Sequence, residues 1–152
     1  MKSILKFIII LLPWFISSLI PIDKNFYNSL NLPFFTPPNY LYGIIWTILY
    51  ILISISIYQT TKDYKIKDLP KSYKYSLCIN YIANQSFQPF FFLLKNTFLG
   101  FISCITTFVT ALFLYKETKN IKDSSSKYLI PYIIFSTFAT ILSLSIYFLN
   151  LN

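Results

Sequence analysis

Five long apolar runs, nearly free of formal charge, constrain this chain more than any other feature. They lie at about residues 4–22, 40–58, 73–94, 97–115 and 128–149, and only Lys6 and Lys74, close to the ends of their runs, interrupt them with a charge. About 20 apolar residues in a helix cross the ~30 Å hydrocarbon core of a bilayer. A backbone in lipid must satisfy its own hydrogen bonds, so a run of this length is read as a helix. A membrane β-barrel would need alternating apolar and polar residues, and these runs do not alternate. The predicted fold class is therefore all-α: a polytopic membrane protein, one five-helix transmembrane bundle over residues 1–152.

Composition agrees. Of 152 residues, 55% are hydrophobic and only 12% charged, against about 25% charged in a soluble domain. The first run follows Lys2 and Lys6, as a leader peptide would, but Ser17-Ser18-Leu19-Ile20-Pro21 makes a poor small-x-small cleavage site, so the run is read as a span.

The net charge of +8 raises the question of nucleic acid, but the 13 cations are all Lys and sit between the apolar runs. With no Arg there is no bidentate reader of bases or phosphates, and no nucleic-acid partner is expected. Counting by side puts Lys2, Lys6, Lys62, Lys65, Lys67, Lys71, Lys74, Lys116, Lys119, Lys122 and Lys127 on one face and only Lys24 and Lys95 on the other. Positive charge marks the cytoplasmic side, so the N-terminus is expected inside and the C-terminus outside. The connection from Asp23 to Asn39 is then the only substantial outer segment, and Pro33, Pro37 and Pro38 stiffen it into a possible lid.

Histidine is absent, which excludes a His-ligated haem and a His-based triad. The two cysteines, Cys78 and Cys104, fall in different apolar runs, so no disulfide framework and no metal site are expected. No charge lies deep in a span, and a proton- or ion-coupled pump has no relay.

The third run carries the clearest functional signal. Ser76, Asn80, Asn84 and Gln88 recur every four residues and so share one helical stripe. Each unpaired amide in hydrocarbon costs several kcal/mol, so the stripe must face protein, water or a ligand. Interhelical hydrogen bonding and pocket lining both satisfy it. Pro89 removes a backbone donor just after the stripe and predicts a bend. Trp46 lies about two turns inside the second run, where an indole either packs or stacks on a flat ligand.

Several stretches together resemble the TspO/MBR family, the tryptophan-rich sensory proteins related to the mitochondrial translocator protein, or peripheral benzodiazepine receptor. They are Phe26-Tyr27, Pro33-Phe34-Phe35-Thr36-Pro37-Pro38, Gly43-Ile44-Ile45-Trp46-Thr47-Ile48-Leu49-Tyr50, Asn84-x-x-Phe87-x-Pro89-x-Phe91-Phe92, and Pro131-Tyr132-x-x-Phe135-x-x-Phe138-Ala139-Thr140. The segment Ile79–Gln85 looks most like the Bacillus-type branch.

The resemblance implies a homodimeric five-helix bundle in a bacterial cell membrane. Its pocket beneath the first loop would take porphyrins, haem and other flat hydrophobic molecules as ligands, with no cofactor required. Carried over by position, the pocket would include Tyr27, Pro37, Trp46, Tyr50, Asn84, Phe87, Gln88, Cys104, Phe135 and Ala139. For some bacterial members it further implies light-dependent porphyrin breakdown through a Trp pair. Here Trp46 would be the catalytic residue, but Phe135 stands in its partner's place, so only weak photo-oxidation is expected. A partner protein without catalytic activity, whose stripe merely joins helices, is the remaining alternative.

Overall fold

The structure, a computed structural model, describes residues 2–64 and 66–151. Lys65 and the side chain of Lys2, both counted on the basic face, lie outside the described residues, as do Met1 and Asn152. Seven α-helices follow in order: α1 (Lys2–Leu11), α2 (Lys24–Ser29), α3 (Asn39–Thr61), α4 (Lys71–Gln88), α5 (Thr97–Ile121), α6 (Asp123–Ser126) and α7 (Ile130–Leu149). Among the described residues there is no strand.

Three segments are long and apolar enough to cross a bilayer unaided: Asn39–Thr61, Thr97–Ile121 and Asp123–Leu149. The other two crossings reach the needed length by different means. Beyond α1, Pro13 lacks the N–H an α-helix would use, and Leu12–Leu19 continue as a 3-10 helix. Eight residues is long for this conformation, and its rise of about 2.0 Å per residue exceeds the α-helical ~1.5 Å. Ten α-helical and eight 3-10 residues together span about 31 Å, enough for the hydrocarbon core.

Helix α4 is the polar one. At Pro89 it passes into a π-helical turn, Pro89–Leu93, in which Leu94 N donates to Pro89 O at 3.0 Å. The bend expected at Pro89 therefore takes the form of one widened turn. Lys95 then adopts a left-handed φ of 49° at the tip, and Asn96 caps α5 by accepting Leu99 N at 2.9 Å. Gly100, one turn into α5, lies against the buried Phe91 ring: a Cβ there would meet Phe91 Cδ2 at 2.6 Å.

Helix α5 packs between α4 and α7, while α3 packs on α1 and, at its C-terminal end, on α6 and the 3-10 turn Lys127–Leu129. Contact between α3 and α7 is sparse elsewhere. The chain thus forms a membrane bundle in which α3 is held firmly at one end and stands off at the other. Lys6 Nζ donates to Thr61 O at 2.8 Å and Lys122 Nζ to Gln59 O at 3.2 Å, so two lysines cap the last carbonyls of α3.

At the opposite end the first connection is built rather than loose. Asp23 caps α2 by accepting Phe26 N at 2.9 Å and pairs with Lys95 at 2.8 Å. Asn31 and Asn150 exchange backbone and side-chain hydrogen bonds at 2.9 and 3.0 Å. These two ties join the connection to the α4–α5 turn and to the end of α7.

Candidate ligand-binding cavity

The space left where α3 stands off is a cavity of about 920 Å³. That lies at the upper end of the ~300–1,000 Å³ of small-molecule sites. On α3, Gly43, Trp46 and Tyr50 fall at helical spacing along its wall, and a Cβ at Gly43 would find nothing within 4 Å. Opposite them, α7 supplies Phe135, Ala139 and Ser143 at four-residue intervals. Helix α4 contributes Asn84, Phe87 and Gln88, and α5 contributes Cys104 and Thr107. Lys24 and Tyr27 of α2 line the end beneath the first connection, and Phe15, Ser17 and Ser18 of the 3-10 segment complete the side.

Nine of the ten residues singled out from the sequence, namely Tyr27, Trp46, Tyr50, Asn84, Phe87, Gln88, Cys104, Phe135 and Ala139, line this one cavity. Pro37 does not. It belongs to the extended stretch between the turn closed by Thr36 N donating to Pro33 O at 3.0 Å and the start of α3, so it shapes the entry to α3. It is corrected here from a lining residue to a backbone one.

The polar stripe of α4 divides. Asn80, fully buried, donates through Nδ2 to Thr107 O and Thr110 Oγ1 at 3.0 Å each and accepts the Tyr132 hydroxyl at 3.1 Å. It joins helices and does not line the cavity. Asn84, one turn on, accepts the Tyr50 hydroxyl at 3.0 Å and donates to Tyr132 Oη at 3.4 Å while lining the cavity floor. Both readings of the stripe hold, each for its own residues.

Sequence reasoning missed Gln85, which lies off the stripe facing the first crossing. Its Nε2 donates to Asn84 Oδ1 and to Trp14 O at 3.1 Å each, and its Oε1 accepts Ser17 N at 2.8 Å. One side chain thereby serves two backbone groups of the 3-10 helix and ties them to the cavity floor. Through Gln85, Asn84, Tyr50, Tyr132 and Asn80, all five crossings share a single hydrogen-bonded network. Only the third crossing's own spacing signalled it.

Trp46 is held by aromatic edges and faces. Its ring centroid lies 5.5 Å from Phe135 at 87°, 6.3 Å from Tyr132 at 69°, and 5.5 Å from Tyr50 at 36°. Offset and edge-on contacts of this kind are favourable. The wall is mostly apolar, but the buried Gln88 Oε1 on it has no hydrogen-bond partner among the described residues, while the Tyr27 hydroxyl lies beside that of Tyr42 and the Ser143 hydroxyl beside the Cys104 thiol. Buried polar groups normally find partners, so the Gln88 carbonyl oxygen is free to accept a hydrogen bond from a molecule within. Among the described residues no cluster of His, Cys, Asp or Glu could hold a metal ion.

An all-helical membrane bundle with an aromatic-walled, sparsely polar cavity near one end defines the class as a helical membrane protein with a cavity among its helices. Residues 7–149 match the TspO/MBR family, and the chain belongs to it. It is similar to the tryptophan-rich protein TspO of Bacillus cereus, 38% identical over 150 residues covering 98% of this chain and 97% of that one. It also resembles YtaB, an uncharacterized membrane protein of Bacillus subtilis, 39% identical over 133 residues (88% and 85% of the two chains). Archaeoglobus fulgidus has a tryptophan-rich protein TspO that is 31% identical over 133 residues (84% and 81%).

Proposed function

We propose that this protein binds flat hydrophobic molecules of the tetrapyrrole kind, porphyrin or haem, in the cavity between α3, α4 and α7, as sensor, scavenger or carrier. The observation that carries the reading is the convergence of the Trp46 ring and the Asn84 and Gln88 amides on one cavity of about 920 Å³. An indole supplies a stacking surface, and the amides and hydroxyls supply a few oriented polar contacts, the usual division of labour in such sites. Lys24, on the same wall, is placed to meet an anionic substituent such as a propionate. With no histidine in the chain, a macrocycle would be held by stacking and hydrogen bonds. The same reading carries with it a bacterial cell membrane, a cytoplasmic N-terminus and a homodimer.

The test is titration of detergent-purified protein with protoporphyrin, read by quenching of Trp fluorescence and by the porphyrin's own absorbance. Asn84→Ala and Trp46→Phe are expected to weaken binding about tenfold each, as loss of a buried polar or stacking contact worth 1.4 kcal/mol would. Binding by both variants as tight as by the unaltered chain would refute this site.

A second reading, porphyrin breakdown in light, rests on Trp46 as the oxidisable residue of the wall. Its α7 neighbour at 5.5 Å is Phe135. We therefore expect only slow loss of porphyrin absorbance under illumination, partly increased by Phe135→Trp. A fast loss in the unaltered chain would contradict that expectation.

A further inference from the structure

The two tryptophans of this chain are linked through one tyrosine. Trp46 lies on the cavity wall, whereas Trp14 is 2% exposed and does not line the cavity. Tyr50 stands between them, with ring centroids 5.5 Å from Trp46 and 5.7 Å from Trp14. Beyond Trp14, Tyr81 lies edge-on at 5.2 Å. Indole and phenol rings are the side chains most readily oxidised by one electron, and here they are in van der Waals contact from the cavity into the packed interior.

We propose that Trp46, Tyr50 and Trp14 form a relay that draws a one-electron oxidation out of the cavity and holds it on Trp14. The proposal rests on the reading that the cavity takes a light-absorbing flat ligand. The photoexcited ligand gains one electron and Trp46 loses one, giving a ligand radical anion and an indole radical cation. An electron then passes from Trp14 through Tyr50 to Trp46, which is restored, and the positive charge resides on Trp14. No bond breaks in these steps. Dioxygen accepts the ligand's extra electron and becomes superoxide, which combines with the indole radical cation to form a C–O bond, the resulting hydroperoxide breaking its O–O bond to give oxygenated indole; or the ligand returns the electron and the cycle closes.

The surroundings determine where the charge rests. Tyr50 donates its hydroxyl to Asn84 Oδ1 at 3.0 Å, and Tyr81 donates to Pro13 O at 3.0 Å. Amide oxygens are too weakly basic to take those protons, so neither tyrosine can settle as a neutral radical. All five carboxylates of the chain lie outside the apolar runs, and histidine is absent. Trp14 packs on Tyr50 at an interplanar angle of 30° and does not line the cavity, so a charge resting there is one ring further from the ligand's extra electron than on Trp46, which slows its return. The second indole that α7 lacks at Phe135 is thus supplied from the first crossing, one ring further away.

The complex with protoporphyrin, its formation first checked by titration, is illuminated in air and oxygenated residues are mapped by peptide mass spectrometry. The relay predicts products on Trp14 as well as Trp46. Tyr50→Phe, which keeps the ring and removes the oxidisable phenol, is expected to abolish the Trp14 products. Diffusing reactive oxygen would not respond to that change. Trp14→Phe, outside the cavity, is expected to leave porphyrin affinity unchanged and raise the yield of Trp46 products, which keeps the proposal testable should Tyr50→Phe not fold. Products on Trp46 alone in the unaltered complex, or Trp14 products indifferent to Tyr50→Phe, would overturn it. Failure of protoporphyrin to bind would instead count against the cavity reading. In that case the indoles of ligand-free protein are excited directly. The relay then predicts damage concentrated on Trp14 and shifted towards Trp46 by Tyr50→Phe; an unshifted balance overturns it.

Discussion

Tyr132 carries two of the hydrogen bonds that hold the bundle together, donating to Asn80 Oδ1 at 3.1 Å and accepting from Asn84 Nδ2 at 3.4 Å, and it is fully buried. Tyr132→Phe keeps the ring against Trp46 but leaves the Asn80 acceptor without that partner. We expect a loss of about 1 kcal/mol, measured by denaturant or thermal unfolding in detergent. Gly100 is constrained differently, because Phe91 Cδ2 would lie 2.6 Å from any Cβ added there. Overpacking of this kind costs about 1–3 kcal/mol, so Gly100→Ala is expected to lower the unfolding temperature while leaving the cavity residues in place. A variant as stable as the parent would show that the Phe91 ring yields freely.

At the scale of elements, the first crossing and the first connection owe their shapes to side chains distant in sequence. Gln85 serves the 3-10 segment where Pro13 disrupts the α-helical pattern, so Gln85→Leu is expected to speed hydrogen exchange at the Ser17 amide and to weaken porphyrin binding through Asn84. Unchanged exchange at Ser17 would contradict that role. The tie between Asp23 and Lys95 is acid-sensitive. The Lys95 ammonium holds the Asp23 carboxyl below its ordinary value of 3.8, helped by the Phe26 amide. A lowered folded-state pKa means the tie is fully present above the ordinary value and is lost as pH falls through the depressed one. Protection of the α2 amides, corrected for intrinsic exchange, should therefore hold at neutral pH and decline only below about pH 4. A decline near neutrality would point to another group.

These elements also show how far the sequence could be read. Apolar runs reveal a crossing because lipid punishes every charge, so Asn39–Thr61 and Thr97–Ile121 enclose the expected 40–58 and 97–115. Their ends extend further because a helix continues beyond the bilayer into polar sequence such as Lys116–Ile121, where hydropathy carries no signal. The α4 stripe was visible because four-residue spacing is intrinsic to one helix. The 3-10 helix, the π turn and the role of Gln85 were not. Pro13 and Pro89 announce a disturbance but not its form, and a hydrogen bond across 68 residues leaves no periodic trace. Pro37 enters the pocket only by position carried over from the family resemblance, whereas in the structure its backbone lies on the approach to α3.

At the scale of the molecule, most of the lysines and the cavity lie at opposite ends. Lys6 and Lys122 cap α3 at its C-terminal end, and Asp23, Lys24 and Lys95 mark the end beneath which the cavity opens. Cysteines introduced one at a time at Lys95 and Lys119, with Cys78 and Cys104 replaced, are expected to react with an impermeant thiol reagent from outside the cell only at position 95. Labelling only at 119 would invert the proposed orientation.

The space beside Trp46 is where the ligand is proposed to sit, and Gly43 offers a way to fill it. A Cβ added at this position on the cavity wall would meet nothing within 4 Å, so Gly43→Leu adds bulk at the wall with no clash at its first atom. Protoporphyrin titration of that variant, alongside its unfolding temperature, is the decisive measurement. An unfolding temperature no lower than the parent's is expected, with binding lost or weakened at least tenfold; undiminished affinity in the folded variant would contradict this site.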